Sequence, residues 1–237
     1  QSTENSDGGD FGLKITIVTP RYGISGVPLA QVRFAKALNR SGHKVTLVIG
    51  EIESGCQCPE IDGVDVLLWR QPKVRGMFWP LVRHLRRSRP DVLFSAEDHL
   101  NAIAILAVII AGVPTLTSGS SRVMPTDRLA YSNRLFSKGW ILKQVMRAVM
   151  WRANALTCVS QDMVTHYKRI FPSGPHVCVY NIIKDEESIL RSREDVTDAW
   201  FPSDGVPIIV SAGTMTKRKG FRDLIDAFSE ARKHREM

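Results

Sequence analysis

The chain has 237 residues, 43% of them hydrophobic and 24% charged, the balance of a folded globular protein with room for one large domain or one and a half smaller ones. A formal net charge of +8 and a sequence pI near 9.5 suit anionic partners such as nucleotides, phosphates or acidic lipids. The longest apolar run, Ala102 to Gly112, falls short of the roughly 20 residues that a bilayer span needs. Cys56 and Cys58 lack a second Cys/His pair at a zinc-ligand spacing, so a metal site is set aside as well.

Residues 1–12 are polar and glycine-bearing and are expected to be a disordered tail. The stretch from Leu13 to Ile49 then organises the chain. Leu13 to Thr19 is an Ile/Val/Thr run, a buried strand. A loop carrying Gly23, Gly26 and Pro28 follows, and Ala30, Phe34, Ala37 and Leu38 recur at helical spacing. Pro28 suits a first helical turn, Gly42 suits the stop, and Val45 to Ile49 is a second apolar run. Strand, glycine loop, helix and strand make a crossover unit of a parallel sheet. The fold class is therefore α/β, a doubly wound parallel sheet with ligands expected at the C-terminal strand ends.

Further strands are expected at Val64 to Leu68, Asp91 to Phe94, Thr115 to Thr117, Ala155 to Val159 and Val177 to Tyr180. Between them lies a basic amphipathic helix with Leu81, Val82 and Leu85 inward and Arg83, His84, Arg86, Arg87 and Arg89 outward. Glu97, Asp98 and His99 stand at a strand's C-terminal end and are candidate site residues, although Asp98 equally suits a helix cap. Ser118 to Ser137 is polar and aperiodic, the pattern of a loop or lid. Trp140 to Arg152 and Gln161 to Phe171 read as helices, the methionines of the first being core filler.

Residues 13–183 form one domain on this reading, and 184–205 a charged linker. From Pro207 the opening pattern returns as strand, short basic loop and helix, so residues 206–237 start a second α/β domain that looks truncated. In that loop Lys217, Arg218 and Lys219 stand between a strand end and a helix N-terminus. Free N–H groups, the helix dipole and fixed cations there would hold a diphosphate. Neither a G-x-x-x-x-G-K-[ST] loop nor G-x-G-x-x-G is present.

Four segments then carry a resemblance: Gly26 to Val48, Asp91 to Pro114, Ala155 to Asn181, and Val210 to Phe228 with Gly213, Lys219, Gly220, Leu224 and Ala227. In that order they resemble the front of a GT-B-fold glycosyltransferase of the large retaining family often called family 4. The resemblance implies two facing Rossmann-like domains, the first on the acceptor side and the second binding the nucleotide-sugar. It implies transfer with retention, no metal, and no cofactor beyond the nucleotide-sugar co-substrate. It places Gly26 near the donor phosphates and Lys219 on the diphosphate, where cations replace a metal.

Two positions depart from the family pattern. Thr214 stands where arginine is frequent, so Lys217 or Arg218 would supply the charge, and Ser120 stands where histidine is frequent, which leaves His99 or Glu97 as catalytic candidates. The family's glutamate pair would lie beyond Met237, so residues 1–237 alone are expected to have no appreciable transferase turnover. The acceptor side is assigned to Glu97, Asp98, His99 and Ser120, and the acceptor to a glycan, a lipid-linked sugar or a small molecule. Basic helices with Trp79 and Trp140 point to peripheral contact with an anionic membrane, hence a cytoplasmic protein at the inner face. A catalytically inactive binding or scaffold module of the same fold is the rival reading. Nucleic acid is not expected, as no binding motif or aromatic platform is present.

Overall fold

The computed structural model describes residues 12–125, 134–182, 186–196, 208–213 and 215–234. The expected N-terminal tail and the middle of the expected lid thus lie outside the described residues. Two compact units are separated at Asp185/Glu186.

The first unit is a sheet of seven parallel strands: β1 (Lys14–Tyr22), β2 (Lys44–Ile52), β3 (Val64–Leu68), β4 (Val92–Ala96), β5 (Leu116–Ser121), β6 (Ala155–Cys158) and β7 (His176–Cys178). Their order is β3-β2-β1-β4-β5-β6-β7, with Ile17 paired to Leu47 on one side and to Phe94 on the other. The chain winds outward in one direction from β1 to β3, then returns to β4 and winds the other way. The doubly wound α/β fold expected from the sequence is what the chain adopts, and its topological switch lies between β1 and β4.

Alternate residues of the central strands serve opposite faces. Ile15, Ile17, Val45, Leu47 and Ile49 pack with α1 (Gly26–Arg40) on one face. Val18, Val48 and Leu93 pack on the other with α2 (Phe78–Ser88) and α3 (Asp98–Ala111). Both faces being covered is why these strands read as unbroken apolar runs. Farther along the sheet, α3, α4 (Lys138–Val149) and α5 (Gln161–Ile170) share a core in which Met146 and Met150 are fully buried.

Three expectations need correction. In α1, Ala30 is buried and Phe34 and Leu38 pack on the core as expected, joined by Pro28, Gln31 and Ala35, whereas Ala37 is exposed. The buried Gln31 amide has no partner among the described residues. The strand at Thr115 extends through Ser121, so the polar run Ser118 to Ser121 is not loop but the inside of the sheet. A polar network replaces apolar packing there: Ser95 Oγ donates to Asn101 Oδ1 at 2.8 Å, and Asn101 Nδ2 donates to the Ser120 carbonyl at 3.2 Å. Gly119 makes room for it, since a Cβ at that position would stand 2.9 Å from Asn101 Cγ. Lastly, His84 does not face outward. Its Nε2 is 3.1 Å from Thr16 Oγ1, its ring meets Trp69 edge-on, and burial pushes its pKa down. Leu81, Val82 and Leu85 do face the core, and Arg86 donates to the carbonyls of Ile110 and Ala111, closing the C-terminus of α3.

The second unit holds α6 (Glu186–Arg191), a 3₁₀ turn at Lys217–Lys219 and α7 (Phe221–His234). The expected strand after Pro207 is absent among the described residues: 208–213 pair with no strand, and Ile209 and Val210 are exposed. A strand is defined by its ladder, and the described residues of this unit hold no neighbouring strand to complete one.

Candidate functional site

The C-terminal ends of β1, β2 and β4 open on a cleft of about 840 Å³ at the topological switch. This volume falls in the range of small-molecule sites, and the position is where doubly wound sheets bind ligands. Arg21 comes from the end of β1, Glu53 from just past β2, and Lys73 and Arg75 from the β3–α2 connection. Glu97 and His99 come from the β4–α3 junction, and Lys138 opens α4. Ser25, Val27 and Pro28 form the wall at the start of α1, whose N-cap Ser25 makes no side-chain capping bond. The first-turn amides there, Gly26 included, have no intrahelical acceptor.

Glu97 and His99, singled out from the sequence, meet in this cleft. Glu97 Oε2 is 3.0 Å from His99 Nε2. That hydrogen bond raises the His99 pKa, with burial opposing and the charges of Glu97 and Asp98 adding to the rise. Glu97 has φ = 76°, a left-handed backbone that favours glycine. Such a conformation costs on the order of 1–3 kcal/mol and is held only by its surroundings. Here the Glu97 N–H donates to the Ser120 carbonyl at 2.9 Å, and the Glu97 carbonyl accepts from the Asn101 N–H at 2.8 Å.

Asp98 and Ser120 are placed elsewhere. Asp98 is buried, and its carboxylate accepts from Ser121 Oγ at 2.6 Å and from the Tyr167 hydroxyl at 2.5 Å. Its charge also helps burial push the Cys158 thiol up to about 12. Ser120 is buried inside β5, with its carbonyl taking the bonds from Glu97 and Asn101. Neither residue lines the cleft.

In the second unit Lys217 and Lys219 occupy the 3₁₀ turn ahead of α7, and both are exposed. Gly213 lies against this turn: a Cβ on it would be 3.7 Å from Lys219 Cδ. Thr214 and the side chain of Arg218 lie outside the described residues.

Sequence reasoning missed Arg21, Glu53, Lys73, Arg75 and Lys138. Arg21 and Glu53 were within reach of the strand-end rule, since each stands at or just after a strand's C-terminus. It also missed Arg122, directly after β5. Its Nη1 donates to Asn181 Oδ1, its Nε is buried without a partner among the described residues, and burial lowers its pKa. Among the described residues no His, Cys, Asp and Glu side chains gather as a metal site, and no helix is long and apolar enough to cross a membrane.

Residues 25–181 match the family described as "Glycosyl transferase 4-like domain". Among solved structures, sucrose-phosphate synthase from Thermosynechococcus elongatus superposes with a TM-score of 0.56 at 7% identity, covering 70% of this chain and 47% of that one. Anabaena HepE in complex with UDP-glucose gives 0.52 at 14% identity, over 76% and 49%. The lipopolysaccharide outer core galactosyltransferase WaaB gives 0.51 at 9% identity, over 73% and 46%. The chain thus spans about half the length of these structures. No curated protein sequence gives a significant match. The family match covers the cleft walls from Ser25 to Lys138, and the chain belongs to the glycosyl transferase 4-like family.

Proposed function

We propose that this chain is the acceptor-side domain, with the entrance to the donor domain, of a glycosyltransferase that moves a sugar from a nucleotide-sugar to an acceptor hydroxyl. The observation that carries the reading is the cleft at the switch point, inside a stretch that matches a glycosyl transferase domain. Residues 13–183 take the acceptor and 206–237 begin the nucleotide-sugar domain, with 184–205 as linker. In the transfer the acceptor oxygen bonds to the sugar's anomeric carbon and the bond from that carbon to the diphosphate breaks. The acceptor proton passes to a phosphate oxygen, and configuration is retained. The products are a glycosylated acceptor and a nucleoside diphosphate.

The charge that develops on the leaving diphosphate is the quantity to stabilise. In the second unit Lys219, aided by Lys217, Arg218 and Thr214, is the group that meets it. This scheme calls for no metal and no further cofactor. Glu97 and His99 are the groups in reach of the acceptor hydroxyl. The acceptor is a glycan or a lipid-linked sugar, and the protein works in the cytoplasm, peripherally at the inner membrane face. The exposed Trp79 and the basic helix α2 support that placement.

The UDP-glucose complex of Anabaena HepE makes uridine-diphosphate sugars the first donors to try. In the protein that carries this chain, Lys219→Ala is expected to lower kcat/KM about 10²–10³-fold while the fold is kept. An unchanged rate would remove Lys219 from the diphosphate site, whereas no transfer with any nucleotide-sugar would favour a binding or scaffold module. Purified residues 1–237 alone are expected to show no appreciable turnover.

A further inference from the structure

The charges around the cleft do not balance. Arg21, Lys73, Arg75 and Lys138 line it, against two carboxylates, Glu53 and Glu97. Glu97 is engaged by His99 at 3.0 Å. Among the described residues none of the four cations forms an ion pair. They come from separate places, the end of β1, the connection after β3 and the start of α4, so no single element's surface charge accounts for them. A concave wall of unpaired cations focuses a positive potential into the space it encloses. Nothing about transfer to a neutral sugar hydroxyl requires it.

We propose that Lys73, Arg75 and Lys138 bind an anionic group, a phosphate or carboxylate, carried by the acceptor sugar itself. The inference rests on the glycosyl-transfer reading and narrows its acceptor to an acidic or phosphorylated sugar. Lysine and arginine suit this role because ammonium and guanidinium groups make charge-assisted hydrogen bonds to such oxygens, about twice as strong as neutral ones. The volume of about 840 Å³ leaves room for a sugar unit beside the anion. The donor diphosphate is a separate anion, assigned above to Lys219 and, on this side, to the Gly26 amide at the α1 wall, whereas Lys73, Arg75 and Lys138 come from the β3–α2 connection and the start of α4.

The test is titration of the chain with glucose, glucose 6-phosphate, glucuronate and inorganic phosphate, followed by amide chemical shifts. Glucose 6-phosphate or glucuronate is expected to bind at least about tenfold tighter than glucose and to shift residues 72–75 and 138. The double variant Lys73→Ala/Arg75→Ala is expected to lose that margin. Both side chains are exposed, so the core is untouched, and Lys36→Ala on the outer side of α1 serves as the control. Equal binding of glucose and its anionic relatives, inorganic phosphate matching glucose 6-phosphate, no binding of any probe, or a double variant that binds like the parent would each overturn the proposal. Transfer is read separately, as nucleoside diphosphate released from UDP-glucose by the protein that carries the chain. Binding here without transfer fails the transfer reading alone, whereas transfer to neutral sugars only fails this inference alone.

Discussion

The hydroxyl of Tyr167 donates to the carboxylate of Asp98 across 2.5 Å, tying α5 to the first turn of α3. The carbonyl of Val123 lies 2.9 Å from the same hydroxyl, and Ser121 Oγ donates to the other oxygen of Asp98. Three elements, α3, α5 and β5, thus meet at one buried carboxylate. Asp98 is flanked by Glu97 and His99, so this knot fixes the backbone from which both cleft residues project.

Tyr167→Phe removes the phenolic donor and leaves a buried charge short of one partner. A hydrogen bond to a charged group contributes about 1.5–3 kcal/mol, and for a domain of this size each kcal/mol shifts Tm by roughly 2–4 °C. Thermal unfolding of the variant is expected to come roughly 3–12 °C lower, with the stacking of ring 167 on Phe171 retained. An unchanged Tm would mean that the bond adds nothing and Asp98 is satisfied without it.

The Glu97–His99 contact makes a pH prediction. Glu97 accepts a hydrogen bond from the protonated ring, so the folded-state pKa of His99 lies above the ordinary value of about 6.5. Asp98 pushes the same way, whereas Arg21 and burial push against it. For a raised pKa the stabilisation is fully present below the unfolded value and is lost as pH rises through the folded one. The ring titration of His99 followed by NMR is expected to have its midpoint above about 6.5, and Glu97→Gln is expected to bring it down. A midpoint unmoved by Glu97→Gln would show that the two side chains do not hold each other in solution.

How far the sequence carried the fold depended on the physics of each element. The β1–α1–β2 unit was legible because strands covered on both faces need continuous Ile, Val and Leu, a pattern that loops do not show. The end of β5 was illegible because Ser120 and Ser121 are satisfied by Glu97, Asn101 and Asp98, partners distant in sequence. In the candidate site, Glu97 and His99 were found because they stand next to each other at a strand end. Lys73, Arg75 and Lys138 were not, since isolated cations in separate connections look like ordinary surface charge until the fold gathers them. The helical stripe of α1 was legible at Ala30, Phe34 and Leu38, which pack on the core, and wrong only at Ala37, which is exposed.

Gly50 sits near the end of β2, where the cleft begins, and its missing side chain is filled by neighbours. A Cβ there would collide with the Pro20 carbonyl oxygen and stand 2.9 Å from Met77 Sδ. Met77 is fully buried at the head of α2, and Pro20 is part of β1 and of the cleft wall. The first obstacle is backbone, which cannot rotate aside as a side chain can, so Gly50→Ala must push β1 and β2 apart beside the cleft. Overpacking of this kind costs about 1–3 kcal/mol. The unfolding free energy of the variant is expected to fall by that amount, at an unchanged m-value, because the unfolded chain is hardly altered. Amide shifts are expected to move at Arg21 and Glu53 as well, since both are anchored on the strands that separate. A denaturation midpoint equal to the parent's would mean that β1 and β2 have slack here, and a cleft wall with slack could not hold Arg21 and Glu53 at a fixed spacing.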